Sequence, residues 1–194
     1  MKFLRFLGNE LLLGALVVVL SVMTALASYQ GATADSEQNK FEIEGMKALN
    51  DGNADFLGAN QSIIYDYQMY DGWYAAQTED LENYYSSSYS PTLQDSIARN
   101  PDDPFSDQYY KEMYAEANSL FDQADVNFDL AGQWDTRGDQ LQLVMLFMAL
   151  GLSFAAWASL LRQESRMRVV FALLAVAAGA LGFLTYLAVP VVAV

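Results

Sequence analysis

The side chains best suited to chemistry are carboxylates, and they cluster in two short stretches. Asn50–Asp55 (NDGNAD) resembles the opening of a calcium-binding loop, which needs glycine at its sixth position and glutamate at its twelfth. Counted from Asp51, those positions hold Phe56 and Ser62, so the calcium motif fails. The second stretch, NPDDP followed by Asp107, is typical of a solvated turn.

Other site chemistries are excluded by residues that the sequence does not contain. There is no histidine and no cysteine among the 194 residues, which excludes disulfides, thiol nucleophiles, zinc sites and imidazole general bases. The sequence shows no nucleophile–base pair and no cofactor fingerprint. We therefore expect no enzymatic activity, no cofactor and no bound metal.

Charge and hydrophobicity are segregated along the chain, which carries a formal net charge of −14 although 53% of its residues are hydrophobic. Residues 29–139 hold 22 of the 24 acidic residues but only 5 of the 10 basic ones, a net charge of −17. Such a segment repels nucleic acid and anionic lipid headgroups. The pattern predicts a membrane protein with an acidic insert that tolerates cations or a basic partner.

Three apolar stretches are long enough to cross a membrane. Residues 11–27, 141–161 and 169–189 comprise 17, 21 and 21 residues, and a spanning helix needs about 20. The first stretch ends in TALASYQ, where Ala25-Leu26-Ala27 resembles a signal-peptidase site. It is longer than the apolar region of a signal peptide, about 7–15 residues. We expect this span to be retained, with cleavage after Ala27 as the alternative.

Positive charges predict the orientation of the spans, because they mark the cytoplasmic side. Lys2 and Arg5 precede the first span, and the loop between the second and third (RQESRMR, residues 162–168) contains Arg162, Arg166 and Arg168. In the predicted topology the N-terminus is cytoplasmic, whereas residues 29–139 and the C-terminus lie outside a plasma (inner) membrane. The predicted domains are residues 1–28, 29–139 and 140–194.

The second half of the insert has the seven-residue period of helices that pack side by side. Small and aromatic residues alternate along it, at Tyr110, Tyr114, Ala117, Phe121, Ala124, Phe128 and Ala131. We expect this helix to begin at Ser106-Asp107, directly after the prolines of NPDDP.

The first half of the insert shows a weaker repeat at Leu49, Phe56, Ile63 and Tyr70, with Asn53, Asn60, Tyr67 and Tyr74 four residues beyond each. Gly52 and Gly58 disfavour a continuous helix, each by about 1 kcal/mol relative to alanine. A further short helix is expected at Thr92–Arg99. The sequence thus predicts an all-α membrane protein with three transmembrane helices and a long antiparallel, coiled-coil-like arm between the first and second. Such an arm buries little core, so we expect a second copy or another subunit to cover its apolar stripes.

Two further residue sets have more than one interpretation. Small residues recur in the second and third spans, at Gly151, Ala155, Ser159, Gly179 and Gly182. They favour close packing of these two spans on each other, with contact between subunits as the alternative. Eleven of the twelve tyrosines lie in residues 29–139. They form either the core of the arm or a surface that contacts protein or glycan.

Three stretches resemble an uncharacterised family of small bacterial membrane proteins that is labelled as a domain of unknown function. They are ASYQGATADSEQN after the first span, ANQSIIYDYQMY in the first half of the insert, and FDQADVNFDLAGQWDTRGDQLQLVMLFMALGLSFAAWASLLRQ leading into the second span. The resemblance implies one span, a helical extracytoplasmic arm and a closely spaced pair of spans. It implies no activity and no catalytic residues.

These patterns favour a non-enzymatic membrane assembly or scaffold protein. It would self-associate or join a larger membrane complex through the arm and the small-residue faces of the spans. The alternative is an extracytoplasmic sensor or a regulatory accessory subunit, and a third hypothesis is an oligomeric channel. The expected partners are membrane lipid and other protein chains, and nucleic acid is not among them.

Overall fold

The computed structural model describes residues 9–193, and this part of the chain contains helices and no β-strand. The helices are α1 Glu10–Tyr74, α2 Glu79–Ser87, α3 Pro91–Arg99, α4 Asp107–Met113, α5 Ala115–Leu160 and α6 Arg166–Leu187. Helices α1, α5 and α6 are each long and apolar enough to cross a membrane. The predictions of an all-helical chain and of three candidate spans are confirmed.

Polar side chains set several of the helix starts. Thr78 and Ser90 accept hydrogen bonds from the backbone N–H groups three residues later, and Pro91 occupies the first turn of α3, as the geometry of helix N-termini favours. Ser106 directly precedes α4, so the predicted start at Ser106-Asp107 is confirmed. The short helix expected at Thr92–Arg99 is confirmed as α3, whereas α2 was not expected.

The two halves of the insert differ in how continuous their helices are. Helix α1 continues through both Gly52 and Gly58 without interruption. The second helix, expected to be continuous from Ser106, is instead broken at Tyr114, which separates α4 from α5. The apolar spacing continues across this break, and for that reason the sequence pattern does not reveal it.

The helices form two compact units. The span unit contains the described residues up to Phe41 together with those from Asp129 onward, and the insert unit is Glu42–Phe128. The buried positions of α1 in the span unit recur every seven residues, at Leu13, Leu20, Ala27, Ala34 and Phe41. Leu20 and Ala27 pack with Leu141, Val144 and Met148 of α5, and Leu13 packs with Ala158 and Ala172.

Polar contacts identify two ends of the span unit. At one end Glu10 Oε1 accepts a hydrogen bond from Gln163 Nε2 at 3.2 Å, and Arg168 Nη1 donates to the Leu161 carbonyl at 2.7 Å. At the other end Gln30 Nε2 donates to the Tyr186 hydroxyl at 3.0 Å, and Arg137 donates to the Pro190 carbonyl. The start of α1 and the loop before α6 therefore lie together.

The core of the insert unit is aromatic. Its buried side chains are Ile63, Tyr89, Leu93 and Tyr109, and Phe105 and Tyr70 pack around them. Phe105 stacks on Tyr67 with a centroid distance of 4.1 Å and meets Tyr109 edge-on at 5.2 Å. The edge-on arrangement is one that aromatic pairs favour, and together the two ring contacts hold the loop before α4 against α1.

Candidate contact surface

An exposed apolar stripe runs along the part of α1 that belongs to the insert unit. It consists of Ile43, Met46, Leu57 and Ile64, which are 68%, 58%, 61% and 58% exposed. The exposed residues Asn50 and Asn53 lie between them. These six residues are called the outer stripe. Large apolar side chains exposed in a row at helical spacing are typical of an interaction surface.

The buried face of the same segment of α1 does not include the outer stripe. It is formed by Gly45, Ala48 and Gly52, and two phenylalanine rings of α5 cover its glycines. A Cβ atom at Gly45 would lie 2.8 Å from the Phe128 ring, and one at Gly52 would lie 2.8 Å from the Phe121 ring. Only glycine accepts a ring this close to the helix axis. The fold of the insert unit therefore uses this glycine face and leaves the outer stripe uncovered.

The structure places the predicted first-half repeat partly on the surface. Leu49 and Phe56 are 39% and 40% exposed, whereas Ile63 is buried and Tyr70 is half-buried. The role of Leu49 and Phe56 as contact residues stays a prediction, and within the single chain Ile63 is the buried member of this repeat. An α-helix turns about 3.6 residues per turn, so a strict seven-residue line drifts around its surface. The buried line passes through Ala48 before it reaches Ile63.

The predicted second-half residues lie on the side of α4 and α5 that faces α1. Ala117 and Ala124 are buried, and Phe121 and Phe128 cover the glycines of α1. Tyr114 stacks on Phe56 at 5.1 Å, and its hydroxyl donates to Asn60 Oδ1 at 2.8 Å. Tyr110 is hydrogen-bonded through its hydroxyl to that of Tyr67.

A buried carboxylate that the sequence reasoning missed lies in the insert unit. Asp66 is 0% exposed. Its Oδ1 accepts a hydrogen bond from Ser90 N at 2.8 Å, and its Oδ2 accepts from Ser90 Oγ at 2.5 Å and from the Tyr109 hydroxyl at 2.8 Å. These three donors offset the cost of removing a carboxylate from water. They join α1 to the start of α3 and to α4, and these residues are called the Asp66 cluster.

The spacing of Asp66 in the sequence could have revealed it. It falls between Ile63 and Tyr70 at steps of three and four residues, within the apolar pattern of α1. A charged residue at a core position is normally paired or hydrogen-bonded when buried. The donors come from distant parts of the chain, Ser90 and Tyr109, and no local pattern identifies them.

Burial and hydrogen bonding raise the pKa of three tyrosines in the insert unit. Burial, reinforced by Tyr70 and Asp66, raises the pKa of Tyr89 to about 12. The hydrogen bond to Tyr67 raises the pKa of Tyr110 to about 12. Burial and then the hydrogen bond to Asp66 also raise the pKa of Tyr109. Tyr109 and Tyr110 are hydrogen-bonded through their hydroxyls, whereas the buried Tyr89 hydroxyl has no hydrogen-bond partner among the described residues. Tyr89 and Tyr109 are buried, so part of the tyrosine set belongs to the core.

Other tyrosines are on the surface. Tyr74 and Tyr84 are 82% and 61% exposed. Tyr85 packs over Gly72, where an added Cβ would lie 2.5 Å from its ring. The core interpretation thus applies to one subset of the tyrosines, and contact with protein or glycan stays a prediction for the exposed subset.

The glycines among the small residues of the spans pack against side chains of the same chain. A Cβ atom at Gly179 would lie 2.8 Å from Leu20 Cδ2, and one at Gly151 would lie 3.1 Å from Leu20 Cδ1. The side chain of Leu20 therefore occupies the space left by glycines of both α5 and α6. A Cβ atom at Gly182 would lie 3.0 Å from Met148 Cε, and Ala155 is buried. Ser159 is exposed, and its hydroxyl bonds the Ala156 carbonyl of its own helix.

The residues that predicted topology occupy different environments. Arg162 and Arg166 are exposed, and Arg168 is buried, with Nη2 3.9 Å from Glu10 Oε1. Lys2 and Arg5 lie outside the described residues. No group of three or more acidic side chains that could hold a metal ion occurs in residues 9–193.

Comparison of the chain with protein families, with curated proteins and with solved structures gives no match. Inference about function therefore depends on the residues and their contacts.

Proposed function

We propose that this chain is a non-enzymatic membrane assembly protein that self-associates or joins a larger membrane complex through the outer stripe. The observation that carries the proposal is the exposure of Ile43, Met46, Leu57 and Ile64 by 58–68%. The insert unit, which bears them, contains 17 acidic and three basic residues. A segment so polar lies in water, where an apolar stripe is stabilised by a partner.

The proposed architecture has residues 29–139 outside the membrane as an antiparallel helical arm, with the N-terminus inside and the C-terminus outside. The contact of Glu10 with the loop before α6 supports placing both on the same side. The pairs Gly45–Phe128, Gly52–Phe121 and Phe56–Tyr114 support antiparallel helices in the arm, since the numbers rise on α1 as they fall along the partner segment. The resemblance to the three-span family of unknown function belongs to the same proposal.

The contacts shift the proposed assembly surface away from the spans. Side chains of the same chain occupy the space beside Gly151, Gly179 and Gly182. These glycines are therefore unavailable for close contact between subunits. Phe121 and Phe128 are likewise engaged inside the insert unit, and substitutions there would test its folding rather than assembly. The outer stripe is the surface to mutate.

The test is native mass spectrometry of the full chain, extracted gently from its own membranes. We expect a multiple of 21.5 kDa, or a mass that includes other polypeptides. Leu57→Glu should reduce the mass to that of one chain, because it places a charge within the contact. Gln123→Glu, at an exposed position on α5, adds the same charge away from the stripe and should leave the assembly intact. A single-chain mass for the unmodified protein would contradict the proposal.

A further inference from the structure

We propose that the outer stripe pairs with the outer stripe of a second copy, as a parallel, in-register two-stranded coiled coil over residues 43–64. This inference rests on the proposed assembly function and names the partner. It follows from the spacing of the exposed residues, from the position of Asn50, and from two charges that flank the stripe.

The spacing of the outer stripe matches a coiled-coil seam. Ile43, Asn50, Leu57 and Ile64 follow one another at seven-residue intervals and occupy the a positions, and Met46 and Asn53 occupy the d positions three residues after the first two. In a two-stranded coil each of these side chains inserts between four residues of the facing helix. Beyond Asn53 the d positions are engaged within the chain, because Asn60 bonds Tyr114 and Tyr67 bonds Tyr110. The contact is therefore expected to end near Ile64.

Asn50 favours one arrangement of the two helices. An asparagine at an a position of a parallel coil faces the same asparagine of the other chain, and the two side chains hydrogen-bond. A parallel pairing shifted by one heptad would set Asn50 against Ile43 or Leu57 and leave its amide without a partner. The polar residue thus lowers stability but selects the in-register dimer over the shifted ones.

The charges beside the stripe complement a second copy in that same arrangement. Glu42 occupies the g position before Ile43, and Lys47 occupies the e position five residues later; both are exposed. In a parallel dimer a g residue faces the e residue of the next heptad on the other helix. Glu42 of each chain would then face Lys47 of the other, twice per dimer. An antiparallel pairing would separate them to opposite ends of the contact.

The overall charge opposes self-association, and this opposition supplies a discriminating test. Two insert units, each with 17 acidic and three basic residues, repel one another. Salt screens this repulsion, since the Debye length is about 8 Å at 0.15 M and about 3 Å at 1 M. Pairing between copies should therefore strengthen as sodium chloride is added. Binding to a basic partner would weaken instead.

The experiment is disulfide trapping in the full chain, which contains no native cysteine. Ile43→Cys, Leu57→Cys and Ile64→Cys are prepared separately in gently solubilised protein and oxidised. Asp55→Cys is the control, exposed on the same helix away from the stripe. Each stripe variant should form at least about tenfold more covalent dimer than the control, because a disulfide requires Cα atoms within about 7 Å. Raising sodium chloride from 0.1 M to 1 M should increase the yield.

Other outcomes overturn the inference in distinguishable ways. Dimers that form only when Ile43→Cys is mixed with Ile64→Cys would show antiparallel pairing and contradict the proposed register. Stripe variants that match the control, in a chain whose native mass is still a multiple or includes other polypeptides, would overturn the inference and leave the assembly function standing. A single-chain native mass together with no trapping would overturn both.

Discussion

Helix α1 carries exposed apolar residues in both units, but their surroundings differ. In the span unit Leu11, Val18 and Val22 are 83%, 62% and 60% exposed, within a stretch apolar enough to cross a membrane. In the insert unit Ile43 and Leu57 are equally exposed within an acidic segment. In the proposed topology lipid would solvate the first group at no cost, whereas the second group would face water, which solvates apolar side chains poorly. Exposure alone is therefore uninformative, and the solvent determines which stripe requires a partner.

The buried contacts of the two units also differ in kind. The span unit packs leucine, alanine and glycine against one another, as with Leu20 between Gly151 and Gly179. The insert unit packs aromatic rings over glycines and buries one hydrogen-bonded carboxylate, Asp66. When a substitution disturbs an apolar contact, the protein loses stability in proportion to the misfit in size or shape. When a substitution removes a buried polar group, every hydrogen-bond partner left without that group adds to the loss. The Asp66 cluster should accordingly be the most sensitive point.

Asp66→Leu should have the largest effect. Leucine has an apolar side chain of similar size, but it leaves the Tyr109 hydroxyl and both donors of Ser90 without their acceptor. We expect a loss of about 2–4 kcal/mol in the free energy of unfolding. The measurement is urea unfolding of the full chain in mild detergent, followed by near-ultraviolet circular dichroism.

Asp71→Leu is the matched control, because Asp71 is exposed on the same helix. It should change the free energy of unfolding by no more than about 0.5 kcal/mol. Equal losses for Asp66→Leu and Asp71→Leu would show that the cluster contributes nothing specific.

Gly179→Val tests the span unit and should have the next largest effect. The new side chain would displace Leu20, whose Cδ2 atom lies 2.8 Å from the position of an added Cβ. We expect a loss of about 1–3 kcal/mol, typical of an overpacked core, measured as reduced resistance to unfolding by dodecyl sulfate.

Two companion variants sharpen that test. At Gly14 an added Cβ meets no other atom within 4 Å, so Gly14→Val should be tolerated. Shortening Leu20 to alanine in the Gly179→Val background should recover part of the loss, since the two side chains compete for one space. Additive losses in the double variant would contradict the described packing.

Gly58→Ala and Gly52→Ala should differ by about 1 kcal/mol or more. Alanine favours a helix over glycine by about that amount, and at Gly58 nothing lies within 4 Å of the new Cβ. Gly58→Ala should therefore raise the free energy of unfolding. At Gly52 the Cβ would lie 2.8 Å from the Phe121 ring, so the same change should give no gain or a loss. If urea titrations gave the same gain in the free energy of unfolding for both variants, the Phe121 ring would not require glycine at position 52.

Acid should produce the smallest effect, through the surface pair that links α3 and α4. Arg99 donates two hydrogen bonds to Glu112, at 2.5 and 2.8 Å, and lowers the pKa of Glu112 from 4.5 to about 2. A lowered pKa in the folded state means that the contribution is present above pH 4.5 and is lost as the pH falls towards 2. Glu112→Gln should flatten this part of the curve of Tm against pH. If Glu112→Gln leaves the fall of Tm at low pH unchanged, that fall arises from other carboxylates.

The sequence predicted the elements of the fold better than their contacts. The spans follow from apolar length, the start at Ser106-Asp107 from the prolines that precede it, and the helix at Pro91–Arg99 from a capping serine and a proline in its first turn. The repeat through Leu49 and Phe56 does not mark the buried face, because a strict seven-residue line drifts around a straight helix. The buried face contains Gly45 and Gly52, and a search for apolar residues passes over glycine.

The candidate surface was only partly foreseeable. The sequence indicated that some stripe of the insert would lack cover, but it did not identify Ile43, Met46, Leu57 and Ile64 as that stripe. Their exposure depends on which face of α1 the rings of Phe121 and Phe128 cover, and these rings lie 69 and 83 positions along the chain from Gly52 and Gly45, which they contact. Long-range choices of this kind leave no local signature.

The glycine–phenylalanine pairs have a consequence for how the chain finds its structure. Both the glycines and the rings repeat every seven residues, so sliding one helix by a heptad would still seat Phe121 over Gly45. By itself such a repeat does not specify the register of the two helices. The Asp66 cluster does specify it, because only the native register brings the Tyr109 hydroxyl to the Asp66 carboxylate. In a shifted register Asp66 would be buried without this donor, so the cluster would disfavour misaligned intermediates as the chain folds.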